Sequence, residues 1–159
     1  MGKLKDSIDL GDPHLGVILV DHGSRRDESN AMLLDVVRNF ADATGFSIVE
    51  PAHMELAEPS IATAFTRCVE RGATTVVVFP YFLLPGRHWN EDIPRLAAEA
   101  ARQHSGIRYL VTAPFGLHPL MAEVIRQRIE HCLAHTQGQA DACELCDGTD
   151  RCQLRTEAS

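Results

Sequence analysis

The sequence predicts an α/β protein: a four-stranded parallel sheet with helices on both faces, a three-layer sandwich, followed by a cysteine-rich C-terminal tail. Three observations predict it. Short apolar, β-branched runs alternate with stretches of helical periodicity, the order expected of βαβ units with right-handed crossovers. The runs are continuously apolar rather than alternating, as in strands covered on both sides. A chain of 159 residues, 45% hydrophobic and 23% charged, has the size and composition for a single core.

The elements follow in order. "GVILV", Gly16–Val20, reads as the first strand. From Ser29 to Ala43, Met32, Leu33, Val36, Val37 and Phe40 recur at helical spacing. A second strand begins near Ser47 in "GFSIVEPAHMEL". Pro59 then suits a first helical turn, with Glu58 or Ser60 as cap. Ile61, Ala64, Phe65, Cys68 and Val69 make that helix's apolar stripe, and Gly72 ends it. "TTVVVFPYFLL" is the third strand, the loop "PGRHWNED" follows, and "IPRLAAEAARQH" is the third helix. "IRYLVTAPFG" is the fourth strand. Leu120 to Ala134 is the fourth helix, with Met121, Val124, Ile125, Ile129, Cys132 and Leu133 expected to face inward. After about Thr136 the apolar periodicity stops. We therefore read residues 1–15 as an N-terminal extension, 16–136 as the folded domain and 137–159 as a tail outside the core.

The net charge of −7 argues against general nucleic-acid binding, which needs a basic face. An acidic small molecule still fits if arginines concentrate at one site. No apolar run approaches the roughly 18–20 residues of a membrane span. "MGKLKDSIDLGDPH" has neither the apolar core of a secretory signal nor the Arg/Ser bias of a transit peptide. Of five cysteines, Cys132, Cys143, Cys146 and Cys152 cluster near the C-terminus. An odd, clustered set points to a metal site in a reducing compartment rather than a disulfide framework.

Ligands of open α/β sheets bind at the carboxyl ends of the strands. There the first strand offers Asp21, His22, Gly23, Ser24, Arg25 and Arg26; the second His53, Glu55 and Glu58; the third Tyr81, Gly86, Arg87, His88 and Trp89. Any one histidine could be an ordinary loop residue, and Glu55 a helix cap. "HG" and "GRH" on neighbouring edges raise the case for a shared crevice. Arg25 and Arg26 oppose the dipole of the helix they precede unless an anion lies there. Trp89 fits a core or lid position, and Cys68 a core position.

Taken together, "VDHGSRR", "VEPAHMELAEPSI", "FPYFLLPGRHWNEDIP" and "TAPFG.H", in register from Gly16 to Leu133, resemble the short class II chelatases. These are the sirohydrochlorin ferro- and cobaltochelatases. The tail pattern "C..C.GT..C" at Cys143, Cys146 and Cys152 is similar to the plant and algal plastid form. The resemblance implies a flavodoxin-like half-chelatase fold, working as a homodimer, that inserts Fe²⁺ into sirohydrochlorin as its substrates. It implies metal and proton handling by His22, His88 and Glu55, with Glu58 and His53 close enough to Glu55 to compete for that role. It also implies a chloroplast stroma location, or otherwise a cytoplasmic one, and a [2Fe–2S] cluster on Cys132, Cys143, Cys146 and Cys152. Read as donors alone, four thiolates suit either an iron–sulfur cluster or structural zinc, and Cys132 also fits a buried core thiol.

The chemistry agrees. Metal insertion removes two pyrrole protons and delivers a divalent cation, so it needs a base that titrates near neutrality. Imidazole with carboxylate holds Fe²⁺ or Co²⁺ loosely, whereas a thiolate cage would retain it. Ligation needs neutral imidazole, so metal binding should weaken below about pH 6.5. Ser24, Arg25, Arg26 and Arg87 beside the two histidines suit the substrate's carboxylates. Two rival classes are a phosphoryl-transfer α/β enzyme with a nucleophilic histidine in "HGSRR", and a non-catalytic metal or iron–sulfur carrier acting through the tail.

Overall fold

A computed structural model of the chain describes residues 11–156. The expected N-terminal extension therefore lies largely outside the described residues. The order is β1 (Leu15–Asp21), α1 (Asp27–Thr44), β2 (Ile48–His53), α2 (Ile61–Glu70) and β3 (Thr75–Pro80). A π-helical turn (His88–Asp92) then runs straight into α3 (Ile93–Arg102), followed by β4 (Arg108–Val111) and α4 (Leu120–Thr136). All strand pairings are parallel, in the order β2-β1-β3-β4. Packing gathers these elements into two units, one ending at Gly116 and one beginning at Leu117.

In the first unit, β1 shows why the strands carry no polar alternation. Val17 and Leu19, with Val49 of β2, pack beneath Leu33 and Val37 of α1. Ile18 and Val20 point the other way, against Ala64 and Phe65 of α2 and Ile93 and Ala97 of α3. The sheet is thus covered on both faces, α1 on one and α2 with α3 on the other. Asp27 and Glu28 favour the positive start of α1, and Gly45, at φ +76°, closes it by donating to the Ala41 carbonyl. Ser60 caps α2 by accepting from the Thr63 N–H. Pro51 is tolerated because β2 is an edge strand. Glu50, buried on β2, is paired with Arg71 Nη1 at 2.6 Å.

Three elements differ from expectation. β3 stops at Pro80, not Leu84. The Tyr81 N–H makes one more ladder bond, to the Val20 carbonyl, and the Phe82 N–H then turns back onto Pro80. β4 is four residues long; its last bond is Thr112 N–H to the Val78 carbonyl, and Pro114 follows. The expected inward stripe of α4 is not buried within its own unit: Val124, Ile125, Ile129 and Leu133 are 46–58% exposed. That unit holds only α4 and the short cysteine segment, too little chain to enclose a helix.

Phe65 is fully buried between sheet and helices. Phe65→Ala should cost about 3–5 kcal/mol, read as a lowered urea midpoint without a change in m-value.

Candidate functional site

β1 and β2 end level, Asp21 facing His53 in the parallel register. Just past that pair, the Met54 N–H donates to the Asp21 carbonyl (2.8 Å) and the Glu55 N–H to the His22 carbonyl (3.1 Å). The side chains follow. His22 Nε2 lies 2.9 Å from Glu55 Oε1, with both groups about half exposed. His22 Nδ1 faces the Gly23 carbonyl at 3.1 Å, an acceptor, so Nδ1 carries its hydrogen. Nε2 then faces the Glu55 carboxylate. Gly23 makes the approach possible: it sits at φ +90°, and a Cβ there would lie 1.9 Å from the Glu55 carbonyl oxygen.

The third strand edge supplies His88, at the head of the π-helical turn. Its ring centroid is 5.1 Å from that of His22, with the planes at 64°. His88 Nδ1 is 2.7 Å from Asp92 Oδ2. That hydrogen bond, before any other influence, holds the Asp92 carboxyl below its ordinary range. The two imidazoles therefore flank the gap between β1 and β3, where the order β2-β1-β3-β4 reverses direction. Among the described residues, no three such side chains are yet grouped closely enough to hold a metal ion.

The expected competitors for Glu55 are committed elsewhere. Glu58 Oε2 accepts from the Ser60 N–H and the Thr63 hydroxyl at the start of α2. His53 is buried, its Nδ1 2.6 Å from Asp21 Oδ1. Ser24 and Arg25 line a pocket of ≈ 460 Å³ with Asn30, His53, Leu56 and Glu58. Asn30 grips both the N–H and the carbonyl of Ser24, and the Ser24 hydroxyl accepts from the Arg26 N–H. Arg26 precedes α1 without capping it. Arg87 is exposed and 3.3 Å from Glu91, a pair worth little in water. The Trp89 indole N–H donates to the Thr112 carbonyl at 2.8 Å, so this tryptophan anchors the turn. Tyr81 stands edge-on to Phe115.

Sequence reasoning missed three partners: Asp92, and the Asp21–His53 bridge. Asp92 had a signal, its i,i+4 spacing from His88, concealed because "PGRHWNED" reads as loop. The Asp21–His53 bridge had none, since it depends on strand register.

In the second unit, Cys152 Sγ lies 3.8 Å from the Cys132 carbonyl, and the Cys146 and Asp147 N–H groups converge on the Cys143 carbonyl. Backbone N–H groups of Leu145 and Cys146 hold the Cys143 thiol below its ordinary value. The Cys143 side chain raises Cys146, and burial raises Cys152, which also hydrogen-bonds the Cys132 side chain. Cys132 is thus a half-buried thiol facing the tail. Arg128 of α4 pairs with Glu144 of the same segment. Cys68, by contrast, is buried in the first unit's core, where desolvation pushes its thiol up to about 12.

The CbiX family model matches residues 16–132. The chain belongs to the CbiX family. A relative named sirohydrochlorin ferrochelatase, chloroplastic, from Arabidopsis thaliana is 57% identical over 96% of this chain and 67% of its own. One from Sulfurisphaera tokodaii, named sirohydrochlorin cobaltochelatase, is 31% identical over 74% of this chain and 93% of its own. A solved structure described as SirB from Bacillus subtilis with Fe³⁺ superposes with a TM-score of 0.68 at 27% identity, covering 73% of this chain and 46% of that one. This CbiX chain thus spans about two thirds of the Arabidopsis protein and under half of the Bacillus one.

Two outcomes follow for this CbiX chain. Gly23→Ala should cost about 2 kcal/mol or more, from positive φ and the clash with the strand end carrying Glu55, measured by chemical denaturation. Iodoacetamide at pH 8 should label Cys143 of the metal-free chain first and leave Cys68 unmodified until unfolding, read by peptide mass mapping.

Proposed function

We propose that this chain inserts Fe²⁺ into sirohydrochlorin to form sirohaem, with His22, Glu55 and His88 holding the incoming ion. The observation that carries the reading is His22, at the carboxyl end of β1, lying beside both Glu55 after β2 and His88 after β3. A divalent cation arriving between His22 Nε2 and Glu55 binds the neutral imidazole and the carboxylate and displaces any proton held there. As the ion passes to the macrocycle, the vacated Nε2 and carboxylate are bases for the two pyrrole N–H protons. The transfer step balances: one dication enters the ring and its two N–H protons pass to Nε2 and the carboxylate, from which they leave to solvent. The nitrogen and oxygen donors bind Fe²⁺ without the retention that thiolates would impose.

Ser24, Arg25, Arg26 and Arg87 engage the substrate's carboxylates. A phosphoryl-transfer reading is disfavoured by the carboxylate of Glu55 against His22 Nε2, which would repel an attacked phosphate. The chloroplast and homodimer readings rest on the Arabidopsis relative's name and on the doubled length of the Bacillus chain. A second copy would supply the missing half.

Cys132, Cys143, Cys146 and Cys152 suit a [2Fe–2S] cluster in donor type. When bound, such a cluster supplies a one-electron centre; the cysteines themselves tie the segment to α4. The His22–Glu55–His88 set draws on none of them, which speaks against a purely carrier function.

Anaerobic incubation with sirohydrochlorin and Fe²⁺ or Co²⁺, followed by absorbance, tests the reading. His22→Ala and His88→Ala should each lower the rate by about 10²-fold or more with the circular dichroism spectrum intact; full activity in both would reject it. Deleting residues 137–159 should remove the cluster's visible absorption while leaving iron insertion in a folded chain. Loss of insertion in that chain would place the tail in the chemistry.

A further inference from the structure

We propose that Asp92 is a positioning residue that fixes His88 in one tautomer, hydrogen on Nδ1 and lone pair on Nε2, and so makes it a ligand for the incoming metal ion. The proposal rests on the function argued above. A histidine that ligates through Nε2 must hold its hydrogen on Nδ1, and a hydrogen-bond acceptor at Nδ1 decides that choice. Asp92 Oδ2 is that acceptor, at 2.7 Å. The other carboxylate oxygen, Oδ1, lies 3.9 Å from Arg95 Nη2.

The backbone explains why the two residues meet. Pro94 enters α3 in its first turn and has no N–H to return to the Asn90 carbonyl, so the chain widens just before it. The Ile93 N–H closes the wide turn on the His88 carbonyl. Upstream, Asn90 donates both its backbone N–H and its side-chain amide to the Gly86 carbonyl, each at 3.0 Å. Trp89 pins the outside of the turn to Thr112. The turn is thus held at both ends, with His88 and Asp92 as its first and last residues.

The two imidazoles are dressed differently. His22 Nδ1 meets a neutral peptide carbonyl, that of Gly23. His88 Nδ1 meets a carboxylate, which orients the ring more firmly and makes Nε2 a better donor. On this basis His22, with Glu55, handles the exchangeable proton, and His88 is the fixed point on which the ion is first caught.

The test uses the full-length chain. Long-range ¹H–¹⁵N spectra at pH 8 should show His88 with hydrogen on Nδ1 in the wild type and on Nε2 in Asp92→Ala. In Co²⁺ insertion assays Asp92→Ala should raise the KM for the metal roughly 10- to 100-fold with the sirohydrochlorin KM unchanged. Asp92→Glu should recover part of the loss, which a merely structural role would not produce. An unchanged His88 tautomer in Asp92→Ala, or an unchanged metal KM, overturns the proposal. Failure of the underlying reading looks different: His88→Ala would leave cobalt affinity and insertion intact, whatever Asp92 does to the tautomer.

Discussion

Two backbone hydrogen bonds, Met54 N–H to the Asp21 carbonyl and Glu55 N–H to the His22 carbonyl, keep the ends of β1 and β2 zipped beyond the sheet itself. Each contributes only about 0.5–1.5 kcal/mol net, so their effect is on geometry more than on stability. They place His22 and Glu55 side by side, and the side-chain bridge between Asp21 and His53 locks the same register one residue earlier. A slip of one residue would send His22 or Glu55 to the opposite face. Gly23 is the complement of this constraint. It allows the first loop to leave at φ +90° without colliding with the strand end that carries Glu55.

The parallel sheet extends the constraint to His88. β3 lies against the other side of β1, so whatever follows β3 arrives at the same edge as His22. The wide turn that carries His88 is anchored by Trp89 and Asn90 rather than by burial. The first unit contains one cysteine, Cys68, and the core keeps it protonated. The edge that carries His22, Glu55 and His88 is therefore free of competing thiolate, while the other four cysteines are gathered in the second unit. Nitrogen and oxygen donors thus lie in the first unit and four of the five cysteines in the second.

Much of this was legible in the residues. Continuous apolar strands such as "GVILV" report burial on both faces, and the polar residues that end them mark the carboxyl edge. His22 and His88 stood out as candidates because glycine, arginine and histidine abruptly replace aliphatic residues there, and the fold brings their rings to 5.1 Å. Glu55 could not be separated from Glu58 and His53 by sequence, since all three lie in one short run; only the register and the start of α2 divide their contacts. Asp92 was hidden by a segment that reads as loop and folds as a π-helical turn, a widening set by Pro94. The apolar stripe of α4 was read correctly as amphipathic and wrongly as inward-facing. Periodicity reports which face is apolar, not what covers it.

A crystal of the chain grown with Co²⁺ and measured at the cobalt absorption edge would be the most direct examination of the metal role proposed for His22, Glu55 and His88. The expected result is an anomalous peak at about 2.0–2.2 Å from His22 Nε2, His88 Nε2 and a Glu55 oxygen. Cobalt found only on the tail thiols, with His22 and Glu55 still paired to each other, would contradict it.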